Sequence, residues 1–201
     1  MNSKYIDEYI ALLERVIAVA YERSYSLISV ERAISRSSFF QTIEKDHIGF
    51  APITTDVELV KQIYANHDID LSDIPYYKQC LWVSEAYLRI LEKTKLTFEA
   101  IFLYIPIKRM FAYYHLYHEM DFTQIVDEFL RLYNDHSTLD LLIKSRDYSL
   151  KEISNMINVS YDTLFSYKQR RRDIKKMEVQ IALDLANILR VRIETLIETI
   201  N

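Results

Sequence analysis

The sequence predicts an all-α chain in two parts: an aromatic-rich N-terminal helical domain over residues 1–135, and a C-terminal domain of five shorter helices over 136–201. Three observations predict it. One Gly and three Pro in 201 residues leave few of the turns that hairpins and sheets require. Apolar residues recur three and four positions apart along most of the chain. Thr55 and Ser149 each stand three residues before a Glu, the arrangement that caps a helix start.

Ile6, Ile10, Leu13, Ile17 and Ala20 give an amphipathic helix over Lys4 to Arg23, and two shorter helices follow at Ser26 to Ile34 and Ser37 to Ile43. Asp46 to Thr55 reads as a loop, with Gly49 and Pro52 in it. Thr55 then caps a helix whose inner face is Val57, Val60, Ile63 and Tyr64. A turn at Leu71 to Pro75 leads to the longest helical run, Tyr76 to Lys93. Thr97 to Tyr104 is interrupted at Pro106 and resumes over Ile107 to Tyr117, since proline suits a first helical turn. Asp121 caps Phe122 to Tyr133, and Asn134 to Ser137 marks the domain boundary.

Composition excludes several function classes. A single cysteine, Cys80, allows neither an internal disulfide framework nor a cysteine-only zinc site, and its apolar helical setting predicts a buried, inert thiol. With one glycine, a Gly-rich phosphate loop of the usual form is not possible. The sequence shows neither a signal peptide nor an apolar run of membrane-spanning length, so a cytoplasmic protein without membrane contact is expected.

Charge is distributed unevenly. Residues 1–135 carry 14 basic against 20 acidic residues, a balance of −6, and residues 136–201 carry 11 against 9, a balance of +2, together the −4 of the whole chain. Lys168, Arg170, Arg171, Arg172, Lys175 and Lys176 outweigh Asp173, a local +5 within nine residues.

The elements around that patch set its context. Ser137 opens a helix to about Arg146 with Leu139, Leu142 and Ile143 inward. Ser149 and Glu152 form a capping box on a helix carrying Leu150, Ile153 and Ile157. Asn158 tolerates the left-handed backbone of a tight turn, Val159 points back into the core, and Ser160 caps Tyr161 to Gln169, with Leu164 and Tyr167 inward. Two capped helices joined by so short a turn place the second across the first, its outer face free for a partner. Met177, Ile181, Leu185, Ile188 and Leu189 mark a fourth helix, and Ile193 to Ile200 a fifth.

Ser149-Leu-Lys-Glu-Ile-Ser-Asn-Met-Ile-Asn-Val-Ser-Tyr-Asp-Thr-Leu164, a basic loop, and Ile181-Ala-Leu-Asp-Leu-Ala-Asn-Ile-Leu-Arg-Val-Arg-Ile-Glu-Thr-Leu196 resemble the Cro and lambda-repressor helix-turn-helix family. Ser154 takes the place of its usual Ala. Arg170 stands where the family often has Gly, and Arg190 where it often has Gly or Asn, which leaves the loop geometry at both open.

The resemblance implies a five-helix helix-turn-helix domain, double-stranded DNA as partner, a homodimer, and Tyr161 to Gln169 as the recognition helix in the major groove. Tyr161, Asp162, Phe165, Ser166 and Gln169 would face base edges: Gln169 has the geometry for bidentate adenine contact, Asp162 for a cytosine amine, and Tyr161 or Phe165 for a thymine methyl. Lys168, Arg170, Arg171, Arg172, Lys175 and Lys176 suit phosphate oxygens.

Other signals point to packing. Residues 26–74 faintly repeat the same helix order and read either as a degenerate second helix-turn-helix or, since they lack a cationic cluster, as unrelated helices with common caps. His115, His118 and Glu119 share adjacent helical turns without the spacing of a zinc site. Glu85, Glu92 and Glu99 recur by sevens with no cleft evident, so no catalytic residue, metal or cofactor is assigned. Tyr76, Tyr77, Trp82, Tyr87, Phe102, Tyr104, Phe111, Tyr113, Tyr114 and Tyr117 fall at helical spacing and are expected mostly in the core.

The expected function is a DNA-binding transcriptional regulator, not an enzyme, whose N-terminal domain dimerises, senses a small-molecule effector or docks a protein partner. The alternatives are an antitoxin-like interaction module that regulates its own operon, and an enzyme with an appended DNA-binding domain.

Overall fold

The computed structural model describes residues 5–46, 54–64, 69–197 and 200. The protein is all-α: thirteen α-helices and two short 3-10 turns, with no strand, among the described residues. No helix of the described residues is long and apolar enough to cross a membrane. The chain divides into two compact units, Met1–Glu128 and Phe129–Asn201. That division falls inside a helix, upstream of the Asn134 to Ser137 boundary expected from composition.

The first unit contains α1 (Ile6–Glu22), α2 (Leu27–Arg36), α3 (Ser38–Asp46), α4 (Asp56–Ile63), α5 (Lys78–Thr94), α6 (Phe98–Tyr104), α7 (Ile107–Tyr117) and the start of α8 (Thr123–Asp135). The loop expected at Asp46 to Thr55 lies outside the described residues except at its two ends. Only Ser37 separates α2 from α3.

The stripe expected on α1 is too narrow. Tyr9, Leu12, Val16, Ala18 and Val19 are buried beside Ile10, Leu13, Ile17 and Ala20, so α1 is covered on nearly every side, with α5 and α4 its main neighbours. A helix that is apolar all round belongs at the centre of a unit. On α4 the Thr55–Glu58 capping box forms, Thr55 N–H donating to Glu58 Oε2 at 3.0 Å and Glu58 N–H to Thr55 Oγ1 at 3.3 Å. Val57, expected inward, is 42 % exposed; Leu59 takes the inner position with Val60 and Tyr64. By helical period Val57 shares the side of Val60 and Tyr64 while Leu59 lies off it, so coverage by neighbouring helices, not the period of α4, decides which of these positions is buried.

Two helix starts in this unit are capped from far along the chain. The Glu44 carboxylate accepts from Phe98 N–H at 2.7 Å, and Glu31 accepts from Ile107 N–H at 2.6 Å, just after Pro106. A carboxylate beside these orphan amides satisfies a donor and opposes the positive helix end.

The aromatics divide. Trp82, Tyr87, Phe102 and Tyr104 are buried, whereas Tyr76 is exposed and Tyr77, Phe111, Tyr113, Tyr114 and Tyr117 are half-buried. Helical spacing sets which rings align, not which sides other helices cover. Arg89 pairs with both Glu85 (3.0 Å) and Glu92 (3.6 Å), leaving those carboxylates in an intrahelical ladder. His118 stacks on the Tyr114 ring at 4.5 Å. The described residues contain no group of three or more His, Cys, Asp or Glu arranged to hold a metal. Cys80 is fully buried, and desolvation pushes its thiol up to about 12.

Glu14 is the exception in this core. It is 3 % exposed, Arg15 approaches only to 4.0 Å, and its Oε1 has no hydrogen-bond partner among the described residues. Burial raises its carboxyl above the ordinary value of 4.5, against the charge of Arg15 and a backbone hydrogen bond from Tyr77. A raised carboxyl pKa means that folding disfavours the ionised form, so this group's contribution falls as pH rises from 4.5 through the raised value. Glu14→Gln, which cannot ionise, is therefore expected to be more stable than the native chain by about 1 kcal/mol at neutral pH. The gain should vanish below the ordinary carboxyl range. Urea melts at pH 3.5 and 7.5 check it; an equal or opposite difference at the two pH values contradicts the assignment.

The second unit runs from Phe129 through α9 (Thr138–Ser145), α10 (Leu150–Met156), α11 (Tyr161–Lys168), the 3-10 turn Ile174–Lys176, α12 (Val179–Leu189) and α13 (Ile193–Ile197). Phe129, Leu139, Leu142, Ile153, Leu164, Leu185, Leu189 and Leu196 form its core. The small side chains of Ser154, Ala182 and Ala186 are also buried there. Ile157 and Val159, expected inward, are half-buried.

Helix ends explain how a chain with one glycine makes its turns. Ser24, Asn158, Arg170 and Arg190 all have φ between 52° and 54°, each just after a helix. Paired backbone bonds surround each, for example Val191 N–H to Ala186 O (3.0 Å) and Arg190 N–H to Asn187 O (3.2 Å). This is the Schellman closure, which ordinarily recruits glycine. The backbone at Arg170 and Arg190 thus keeps the left-handed geometry despite the Cβ, a cost of about 1 kcal/mol each. Arg190→Gly is expected to stabilise the chain by roughly 0.5 kcal/mol, part of the relief being lost to glycine's entropy in the unfolded state. A fall in melting temperature would show that the Arg190 side chain outweighs its backbone.

Candidate nucleic-acid interface

The positioning of α11 begins at the end of α10. Ser149 and Glu152 close a capping box, with Ser149 N–H to Glu152 Oε2 at 2.7 Å and Glu152 N–H to Ser149 Oγ at 3.2 Å. Asn158 turns left-handed, Asn158 N–H and Val159 N–H donate to Asn155 O (3.4 Å) and Ser154 O (3.0 Å), and Ser160 Oγ accepts from Thr163 N–H at 3.2 Å. One helix is thereby closed and the next opened within Ile157 to Ser160. Leu164 and Tyr167 anchor α11 from below, and α11 packs against α10 and α9.

The far end of α11 is fixed by α9. Ser137 Oγ accepts from Asp140 N–H (3.0 Å) and donates to Lys168 O (2.7 Å), joining the start of one helix to the end of the other. Asp140 binds Lys144 Nζ at 2.8 Å and Lys168 Nζ at 3.0 Å. Burial pushes the Asp140 carboxyl up, but the bonds and charges of the two lysines outweigh it and hold it below the ordinary value. Lys168 is half-buried and committed to this pair.

Arg170 is committed as well. Its guanidinium donates to Asn134 O (3.3 Å) and His136 O (2.7 Å), at the end of α8, and lies 4.5 Å from the centre of the Tyr133 ring. Carbonyls at a helix C-terminus lack intrahelical donors, and a fork of guanidinium N–H groups satisfies two at once. Of the six cations named from sequence, Lys168 and Arg170 therefore brace the scaffold. Arg171, Arg172, Lys175 and Lys176 are exposed along the following loop.

The outward side of α11 carries the remaining residues. Tyr161 is 48 % exposed, Asp162 and Gln169 are exposed, and Phe165 and Ser166 are half-buried. The Tyr161 and Phe165 rings stack at 5.9 Å, and the Arg171 guanidinium lies 5.5 Å from the Phe165 ring centre, one row of two rings and a cation. Ser166 Oγ donates to Asp162 O at 2.7 Å, so outward it offers only acceptor lone pairs. Sequence reasoning missed the bracing of Lys168 and Arg170 by Tyr133, Asn134, His136 and Asp140, residues some thirty positions earlier; the Ser137 cap and the Asp140–Lys144 pair carried the local signals.

The arrangement can meet a polyanion with its loop while presenting aromatic faces, one carboxylate and one amide from a rigid helix. No family model matches this chain, nor does any curated protein or solved structure.

Proposed function

We propose that the chain is a sequence-specific, double-stranded DNA-binding regulator of the cytoplasm, its second unit a helix-turn-helix domain of the Cro and lambda-repressor type. One observation carries it: a short helix braced at both ends turns its polar and aromatic side outward, and four exposed cations follow it directly. An α-helix with its side chains is about 10–12 Å across, which the major groove, about 12 Å wide, admits. Gln169 and Asp162 are the candidates for base-edge hydrogen bonds, and Tyr161 and Phe165 for apolar contact with thymine methyls. Ser166 accepts from base amines. Arg171, Arg172, Lys175 and Lys176 take phosphates, which supply the salt-dependent part of the affinity. A homodimer on two half-sites about one helical turn apart is the expected assembly.

Selection of the full-length protein on random double-stranded DNA tests this reading. The expected result is an enriched two-half-site consensus, with one position relaxed in Gln169→Ala at a cost of about 1–3 kcal/mol. Recovery of unenriched sequence, or binding insensitive to salt, would rule it out.

A further inference from the structure

The first unit contains an open cleft of about 570 Å³ between α1, the start of α4 and the start of α5. That volume lies within the range of small-molecule sites. Leu12, Leu81 and the exposed Tyr76 form an apolar side. The charged lining is Glu8, Glu14, Asp56 and Arg15, three carboxylates against one cation.

Arg15 offsets them only in part. Its guanidinium donates to Ile74 O at 3.2 Å and stays 3.9 Å from Asp56 and 4.0 Å from Glu14, outside hydrogen-bond distance of both. Glu14 is 97 % buried, and its Oε1 has no hydrogen-bond partner among the described residues. A buried carboxylate left so undercompensated destabilises the fold, and groups kept at such a cost concentrate at binding and catalytic sites. A neutral Gln would fill the same space.

We propose that this cleft binds a small organic cation, a primary ammonium joined to an apolar body about the size of one aromatic ring. The ammonium adds the charge that the three carboxylates lack and stands over Glu14, the buried carboxylate that Arg15 leaves undercompensated. The apolar body lies along Leu12, Leu81 and Tyr76. An anionic ligand of the same shape is excluded by the same carboxylates. The site belongs wholly to the first unit, so the inference stands or falls apart from DNA binding by the second.

The test titrates phenethylamine into the full-length protein, followed by thermal shift and by NMR, beside 2-phenylethanol and 3-phenylpropionate. Phenethylamine is expected to bind saturably at millimolar concentration, at least about tenfold more tightly than the alcohol, with the carboxylate not binding. Glu14→Gln should weaken phenethylamine about tenfold while leaving the chain folded. Ala11→Trp, at an exposed position on the cleft's edge, should block it without touching a carboxylate. Equal affinity for amine and alcohol, no saturable response to the amine, or unchanged affinity in Ala11→Trp would overturn the proposal.

Discussion

Replacing Arg171, Arg172, Lys175 and Lys176 together with alanine is expected to weaken DNA binding about a hundredfold to a thousandfold per protomer near 0.1 M salt, to a similar degree on every sequence. Each phosphate left without its cation takes about 0.9 from the slope of log K against log salt concentration, which is a factor of roughly eight at that ionic strength. Four such phosphates bound the effect from above. Arg170 stays in place in this variant because its guanidinium closes the end of α8 through Asn134 O and His136 O. Its removal would mix a stability loss into the affinity. The four replaced side chains are exposed, so the melting temperature should fall only a little, loss of the Arg171–Phe165 ring contact accounting for about 0.5–1 kcal/mol. Salt titrations by fluorescence anisotropy on specific and scrambled duplexes read both quantities. An unchanged slope would mean that the basic loop never meets phosphate, whatever else α11 does.

That variant spares Lys168 and Arg170, two of the six cations the sequence offers for phosphate, and the difference shows where sequence is legible. Caps were legible. Thr55, Ser137, Ser149 and Ser160 each meet an amide within three residues, so the signal and its partner share one short window. Inward positions of α11 were legible too, since Leu164 and Tyr167 are the residues its period demands.

What failed to show depends on distance along the chain. Glu31 and Glu44 cap helices 76 and 54 residues away, and Arg170 reaches back 34 and 36 residues to the end of α8. A run of arginines gives no sign of which one is spent on a carbonyl. The aromatic helices failed for a related reason: periodicity aligns Tyr76, Phe111 and Tyr117 with core rings, but which sides are covered is decided by helices elsewhere. At Arg170 and Arg190 the backbone overrode the side chain, because two Schellman bonds fix a left-handed residue whatever stands there.

The second large effect should come from Ile153→Asp. Ile153 is fully buried on α10, the helix against which α11 packs. An unpaired charge in such a site, added to the loss of apolar burial, costs about 3–5 kcal/mol, a large share of what a unit of this size has to lose. The second unit should therefore unfold or lose its fixed packing. Hydrogen exchange on the full-length protein locates the damage: amides of α9 to α12 should lose protection while those of α1 and α5 keep theirs. Ile153→Val, which removes one methylene and adds no charge, should cost only about 1 kcal/mol and retain DNA binding. The pair separates burial from charge. Were Ile153→Asp to melt like the native chain, the face of α10 assigned to the core would be wrong, and with it the side of α11 that is turned outward.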